Sequence, residues 1–181
     1  MSPDRGSRRV PRSRKTEPRE TQRREPQRRE TRRRQPSGEA SAAESPTAIA
    51  LTDTHSLLWA GDATKRRKLG RGARAYFDRV ERREAALFVP TIVLVEVGEL
   101  QHLGRIRLQP SFEQWLTDLI ASRVFIPVDL TTEIVRHAQQ LYDIPERGDR
   151  LIAATAVAMN VPLISRDPDI AACAHVERIW D

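Results

Sequence analysis

The chain has 181 residues, with 31 Lys and Arg, 25 Asp and Glu and a formal charge of +6, a length that suits one domain of ordinary size. Its single cysteine excludes an internal disulfide and a thiolate zinc cluster. No apolar run reaches the roughly 18 residues of a bilayer span, and the basic N-terminus lacks the apolar segment of a secretory signal, so a soluble, cytoplasmic protein without membrane association is expected.

The charge is segregated along the chain. Residues 1–47 hold 14 Lys and Arg against 7 Asp and Glu, whereas residues 48–181 hold the other 17 against 18. Val10 is the only large apolar residue before Ile49, so this stretch cannot bury enough surface to offset its ordering entropy. Residues 1–46 are therefore read as a disordered Arg-rich tail. Three accounts of it stand open: a solvated extension, an arm that binds polyanions by counterion release, or the product of a misassigned start near residue 45. The folded domain is expected over residues 47–181.

Within that domain short apolar runs alternate with longer amphipathic ones. Residues 48–52 read as a buried strand. Residues 65–83 carry Leu69, Ala73, Tyr76, Phe77 and Val80 at helical spacing, with Arg67, Arg71, Arg74 and Asp78 opposite. A second strand covers 86–89. Residues 91–103 have strand-like composition, but their length and the stop at Gly104 favour a helix. A helix over 111–122 with Ser111 as N-cap, a strand over 124–128 and a helix over 131–142 follow. The small-residue helix 149–159, a strand at 161–165, a short helix from Pro168 and a last strand at 176–180 complete the pattern. Strands separated by helices require crossover connections, hence a mostly parallel sheet covered on both faces.

Four acids stand in apolar settings: Asp53 after Ala48–Thr52, Glu96 inside Ile92–Val97, Asp149 at the head of Leu151–Ala156, and Asp167 after Val161–Ser165. Asp53, Asp149 and Asp167 each also fit the role of helix N-cap, Asp167 most plainly because Pro168 follows it. Glu96 has no such reading; it either faces solvent beside Glu99 or brings charge near buried surface, where it needs a partner. Glu146, just ahead of Asp149, is an accessory candidate. Gathered together, such carboxylates would need a cation, and an oxygen-only donor set selects Mg²⁺ or Mn²⁺. That chemistry suits hydrolysis of a phosphodiester by metal-activated water.

Rival constellations are weak. His55, His102, His137 and His175 are scattered, and Gly70-Arg71-Gly72 echoes a phosphate loop without its third glycine or its Lys-Ser/Thr pair. The basic residues Lys65, Arg66, Arg67, Lys68, Arg71 and Arg74 either form a solvated helix face or guide a polyanion.

From about residue 48 onward the chain resembles the PIN-domain ribonucleases, most closely the VapC toxins of type II toxin-antitoxin systems. The resemblance rests on Leu51-Thr52-Asp53-Thr54-His55-Ser56-Leu57-Leu58-Trp59, on Glu96-Val97-Gly98-Glu99-Leu100 running to Leu103-Gly104-Arg105-Ile106, on Gly148-Asp149-Arg150-Leu151-Ile152-Ala153-Ala154-Thr155-Ala156, and on Leu163-Ile164-Ser165-Arg166-Asp167. It implies a three-layer α/β/α sandwich around a five-stranded sheet of order 3-2-1-4-5. It implies Asp53, Glu96, Asp149 and Asp167 as an acidic quartet around Mg²⁺, and a single-strand RNA endonuclease, commonly homodimeric, restrained by a cognate antitoxin protein. Two departures stand out: Glu146-Arg147-Gly148-Asp149 replaces the Asp-Pro-x-Asp loop of many relatives, and the Arg-rich tail has no counterpart in compact toxins. Two other functions fit the same residues, a PIN nuclease of RNA processing and a non-catalytic RNA-binding module.

Overall fold

The computed structural model describes residues 48–181; the tail reading for 1–46 lies outside the described residues. Five strands, β1 (Ile49–Thr52), β2 (Ala86–Pro90), β3 (Phe125–Val128), β4 (Leu163–Ile164) and β5 (Arg178–Ile179), form one sheet in the order β3-β2-β1-β4-β5. Every pairing is parallel, as crossover connections demand. Seven α-helices join them among the described residues: α1 (Thr54–Ala60), α2 (Arg71–Glu81), α3 (Thr91–His102), α4 (Phe112–Ala121), α5 (Thr132–Ala138), α6 (Arg147–Met159) and α7 (Pro168–Ala172).

Period-2 alternation sends successive strand residues to opposite faces. On β1, Ala50 packs with Leu69, Ala73, Tyr76, Phe77 and Val80 around α2, while Leu51 packs with Val93, Val97, Ile152 and Ala153 from α3 and α6. On β4, Leu163 joins the second group and Ile164 the first. Both faces of the sheet are therefore covered, which gives the expected three layers.

The differences from the sequence reading are local. The helix expected over 65–83 is split: a 3₁₀ turn at Arg66–Lys68 is followed by extended Leu69, and α2 starts afresh at Arg71 with Gly70 as N-cap. The cause is tertiary. A Cβ at Gly70 would overlap the Trp180 carbonyl, and that carbonyl accepts the Ala73 amide at 3.1 Å. The glycines of Gly70-Arg71-Gly72 thus admit the C-terminal strand and cap α2 with its backbone, which removes the phosphate-loop reading. The ambiguous run 91–103 is α3, ended at Gly104 with φ +68°, a conformation glycine adopts at little cost. The helix expected over 131–142 stops at Ala138, where a series of turns takes over through Ile144.

Candidate metal centre

The chain builds outward from β1 to β2 and β3, then returns to place β4 and β5 on the other side of β1. The connections leaving β1 and β4 therefore diverge, and the crevice beyond their carboxyl ends is where open parallel sheets place ligands. Asp53 follows β1 directly, and its amide donates to the Ile164 carbonyl at 3.1 Å, fastening the two strand ends together. Asp167 stands in the connection after β4.

Asp53 is 5% exposed. It is the N-cap of α1, with Oδ1 accepting the Ser56 amide at 2.6 Å, so capping holds the carboxylate in place. Asp167 caps α7 in the same manner, one oxygen accepting the amides of Asp169 and Ile170 at 2.9 and 3.0 Å. Ser165 Oγ in turn accepts the Asp167 amide at 3.0 Å.

Asp149 departs from its expected position. Glu146 is the N-cap of α6, and its carboxylate accepts the Asp149 amide at 2.8 Å. Asp149 therefore sits at the third helical position, with its side chain free of capping. The alternative reading of Asp149 as a cap does not hold, because the local apolar pattern begins at Leu151 while the orphan amides begin at Arg147.

Glu96 turns inward. Its Oε2 accepts the Thr54 hydroxyl of α1, and its Oε1 lies where a Cβ on Gly148 would stand. Gly148 is thus the point at which α3 and the head of α6 approach closely enough to bring Glu96, Glu146 and Asp149 together. Burial raises the Glu96 carboxyl pKa, opposed by the Thr54 hydrogen bond and reinforced by the charges of Glu146 and Asp53.

The strongest electrostatic effect falls on Asp149, whose carboxyl is pushed up to about 7. Burial is the largest cause, followed by the charges of Asp167, Glu146, Glu96 and Asp53 in turn. All four sequence-predicted acids and the accessory Glu146 therefore share one electrostatic neighbourhood, although they come from segments more than a hundred residues apart. Like charges raise one another's affinity for protons, and a cation relieves the same repulsion.

The donor set is oxygen only, which fits Mg²⁺ or Mn²⁺ and not a thiophilic ion. Among the described residues no three His, Cys, Asp or Glu side chains stand at metal-ligand spacing. His102, His137 and His175 do not join the cluster; His55 does, at its edge, where its charge acts on Glu96. Sequence reasoning missed Thr54 and Gly148, whose parts in the site depend on neighbours distant in the chain. Of the basic stretch, Arg66 pairs with Asp78 and Glu81, Lys65 pairs with Asp62, and Arg74 donates weakly to the Leu69 carbonyl, so these three serve local structure.

An all-parallel sheet of this order with carboxylates clustered past β1 and β4 defines a class of α/β/α proteins with an acidic crevice. The PIN domain family model matches residues 50–176, and the chain belongs to that family, whose members are in general nucleases that use divalent metal. Among solved structures it is similar to VapBC2 from Rickettsia felis bound to a DNA fragment from its promoter, at 15% identity and a TM-score of 0.54 over 74% of this chain and 99% of that one. It is also similar to DNA-bound VapBC from Salmonella typhimurium, at 14% identity and a TM-score of 0.52 over 72% and 96%. No curated protein matches the chain at a significant level. No helix among the described residues is long and apolar enough to cross a membrane.

Proposed function

We propose that the protein is a Mg²⁺-dependent endoribonuclease, with Mn²⁺ as an alternative ion, and the toxin of a type II toxin-antitoxin pair. The observation that carries the reading is the Asp149 carboxyl, held near pKa 7 by burial and by four further acids. Such an arrangement is costly to folding and is characteristic of sites that bind a cation or move a proton. Support for the toxin assignment comes from family membership and from the VapBC structures that share the fold.

In this reading Asp53 and Asp149 hold the ion most directly, Asp167 completes the charge and Glu146 is accessory. When bound, the ion neutralises the acidic crevice and stabilises charge developing on the phosphate oxygens. Asp53 and Asp167 are oriented by the helix amides they accept, which keeps them in place before substrate arrives. Glu96 is fixed through Oε2 by Thr54, leaving Oε1 beside Gly148 to take part in metal binding or to position the attacking water. The remaining partners follow from the same reading: an RNA substrate, a cognate antitoxin, a second copy of the chain in a homodimer, and a cytoplasmic setting.

The test is cleavage of a panel of single-stranded RNAs with and without Mg²⁺. Wild type is expected to cleave, and Asp53→Ala to lose cleavage while remaining folded, the lost cap costing about 0.5–2 kcal/mol. Equal cleavage by both, or cleavage indifferent to chelation, would sink the nuclease reading. Growth arrest on expression, relieved by Asp53→Ala, separates a toxin from a nuclease of RNA processing.

A further inference from the structure

The acidic crevice has a cationic and aromatic margin that the chemistry above does not use. Trp59, near the end of α1, is half-buried, with Trp180 edge-on to it at 6.3 Å between ring centroids. Two exposed cations lie over the same indole: Lys68 Nζ at 5.6 Å and the Arg166 guanidinium at 5.5 Å from the ring centroid. They arrive from different segments, the 3₁₀ turn and the connection after β4. Among the described residues neither forms a salt bridge, whereas the neighbouring Lys65 and Arg66 are both paired with carboxylates. His55, exposed and one helical turn before Trp59, sets its ring 5.6 Å from the indole.

Position links this cluster to the acids. His55 is two residues past Asp53 and adjoins Thr54, which holds Glu96; Arg166 immediately precedes Asp167. A surface that juxtaposes two like charges on one indole without a protein counter-anion, beside a cluster of acids of the opposite sign, is complementary to a polyanion that passes from one to the other. An aromatic ring between exposed cations is also the composition that single-stranded nucleic acid selects, with bases stacked and phosphates paired.

We propose that His55, Lys68 and Arg166, arranged on Trp59, form a subsite for the nucleotide next to the scissile phosphate of single-stranded RNA. Lys68 and Arg166 pair with its phosphate, His55 stacks on its base, and Trp59 is the positioning residue beneath them. The proposal rests on the nuclease reading and specifies how its substrate is held.

The test measures binding of a short fluorescein-labelled single-stranded RNA to the full chain by anisotropy in EDTA over a salt series, then cleavage kinetics in Mg²⁺. Lys68→Gln and Arg166→Gln are expected to weaken binding regardless of sequence and to make the log-log salt slope shallower by roughly 0.7 to 1 each. His55→Ala is expected to loosen binding by about 5- to 100-fold. In cleavage these variants raise KM with kcat little changed. Arg82→Gln, whose native partner is Glu84, serves as the control and leaves both readouts at the wild-type value. Wild-type affinity and slope in both Lys68→Gln and Arg166→Gln overturn the subsite, including the case where these variants lose binding only to an acidic protein partner. Wild type that cleaves alongside unaffected variants removes the subsite alone. Wild type that never cleaves, with variants that still lose RNA binding, removes the nuclease and leaves the subsite standing.

Discussion

At the scale of single residues, Asp149 governs how the site responds to pH. Its carboxyl titrates near 7 in the folded chain against an ordinary 3.8, so between these values the folded form binds the proton that the unfolded form has released. Stability therefore falls as pH rises through that window, and the cost is fully present above it. In EDTA, the melting temperature of wild type is expected to drop between about pH 4 and pH 7 more steeply than that of Asp149→Asn. At pH 8 the variant should melt about 2–4 °C higher, the shift that ~1 kcal/mol produces in a domain of this size. Superimposable pH profiles would show that Asp149 is not under electrostatic strain. The four acids were legible in sequence because a carboxylate inside an apolar run is conspicuous; their mutual repulsion was not, since it depends on distances across the fold. The cap role that Asp149 also fitted in sequence belongs to Glu146.

At the scale of elements, two glycines decide how helices approach their neighbours. Gly148→Ala gains about 1 kcal/mol of helix propensity, but its methyl occupies the place of Glu96 Oε1. The side chain can swing away, so the chain is expected to fold with near wild-type stability in urea melts. Cleavage should fall by about 100-fold, the scale of effect that a misplacement of roughly 1 Å produces. Unchanged cleavage would mean that Glu96 need not sit against α6. Gly70→Ala meets a backbone carbonyl, which cannot swing away, and the same carbonyl caps α2 through Ala73. It is expected to destabilise by about 1–3 kcal/mol without altering the acid cluster, as judged by denaturant unfolding and by retained cleavage in the folded fraction. Periodicity located most helices here, yet it ran α2 back to residue 65, because nothing local announces that a strand from the far end of the chain will press on Gly70.

At the scale of the whole molecule, the acidic crevice exists only because a parallel sheet carries β1 and β4 side by side. Mg²⁺ or Mn²⁺ is expected to raise the melting temperature of wild type, by an amount equivalent to about 2.7 kcal/mol when the ion stands at 100 times its dissociation constant. Asp149→Asn should lose most of that gain, a readout independent of catalysis; equal stabilisation of both would place the ion elsewhere. The sheet and its two covered faces were determined by sequence alone, because alternating apolar runs admit few other arrangements and crossover handedness prunes the rest. The candidate acids and the chemistry of an oxygen-only donor set were likewise present in the residues themselves. Only the tertiary structure decided which of those acids share a field, that Glu146 and not Asp149 caps α6, that Thr54 holds Glu96, and that Lys68 and Arg166 meet on Trp59. The physical reason is range: hydrophobic periodicity and capping act over one or two helical turns, whereas these relations are set by distances between residues that only chain folding brings together.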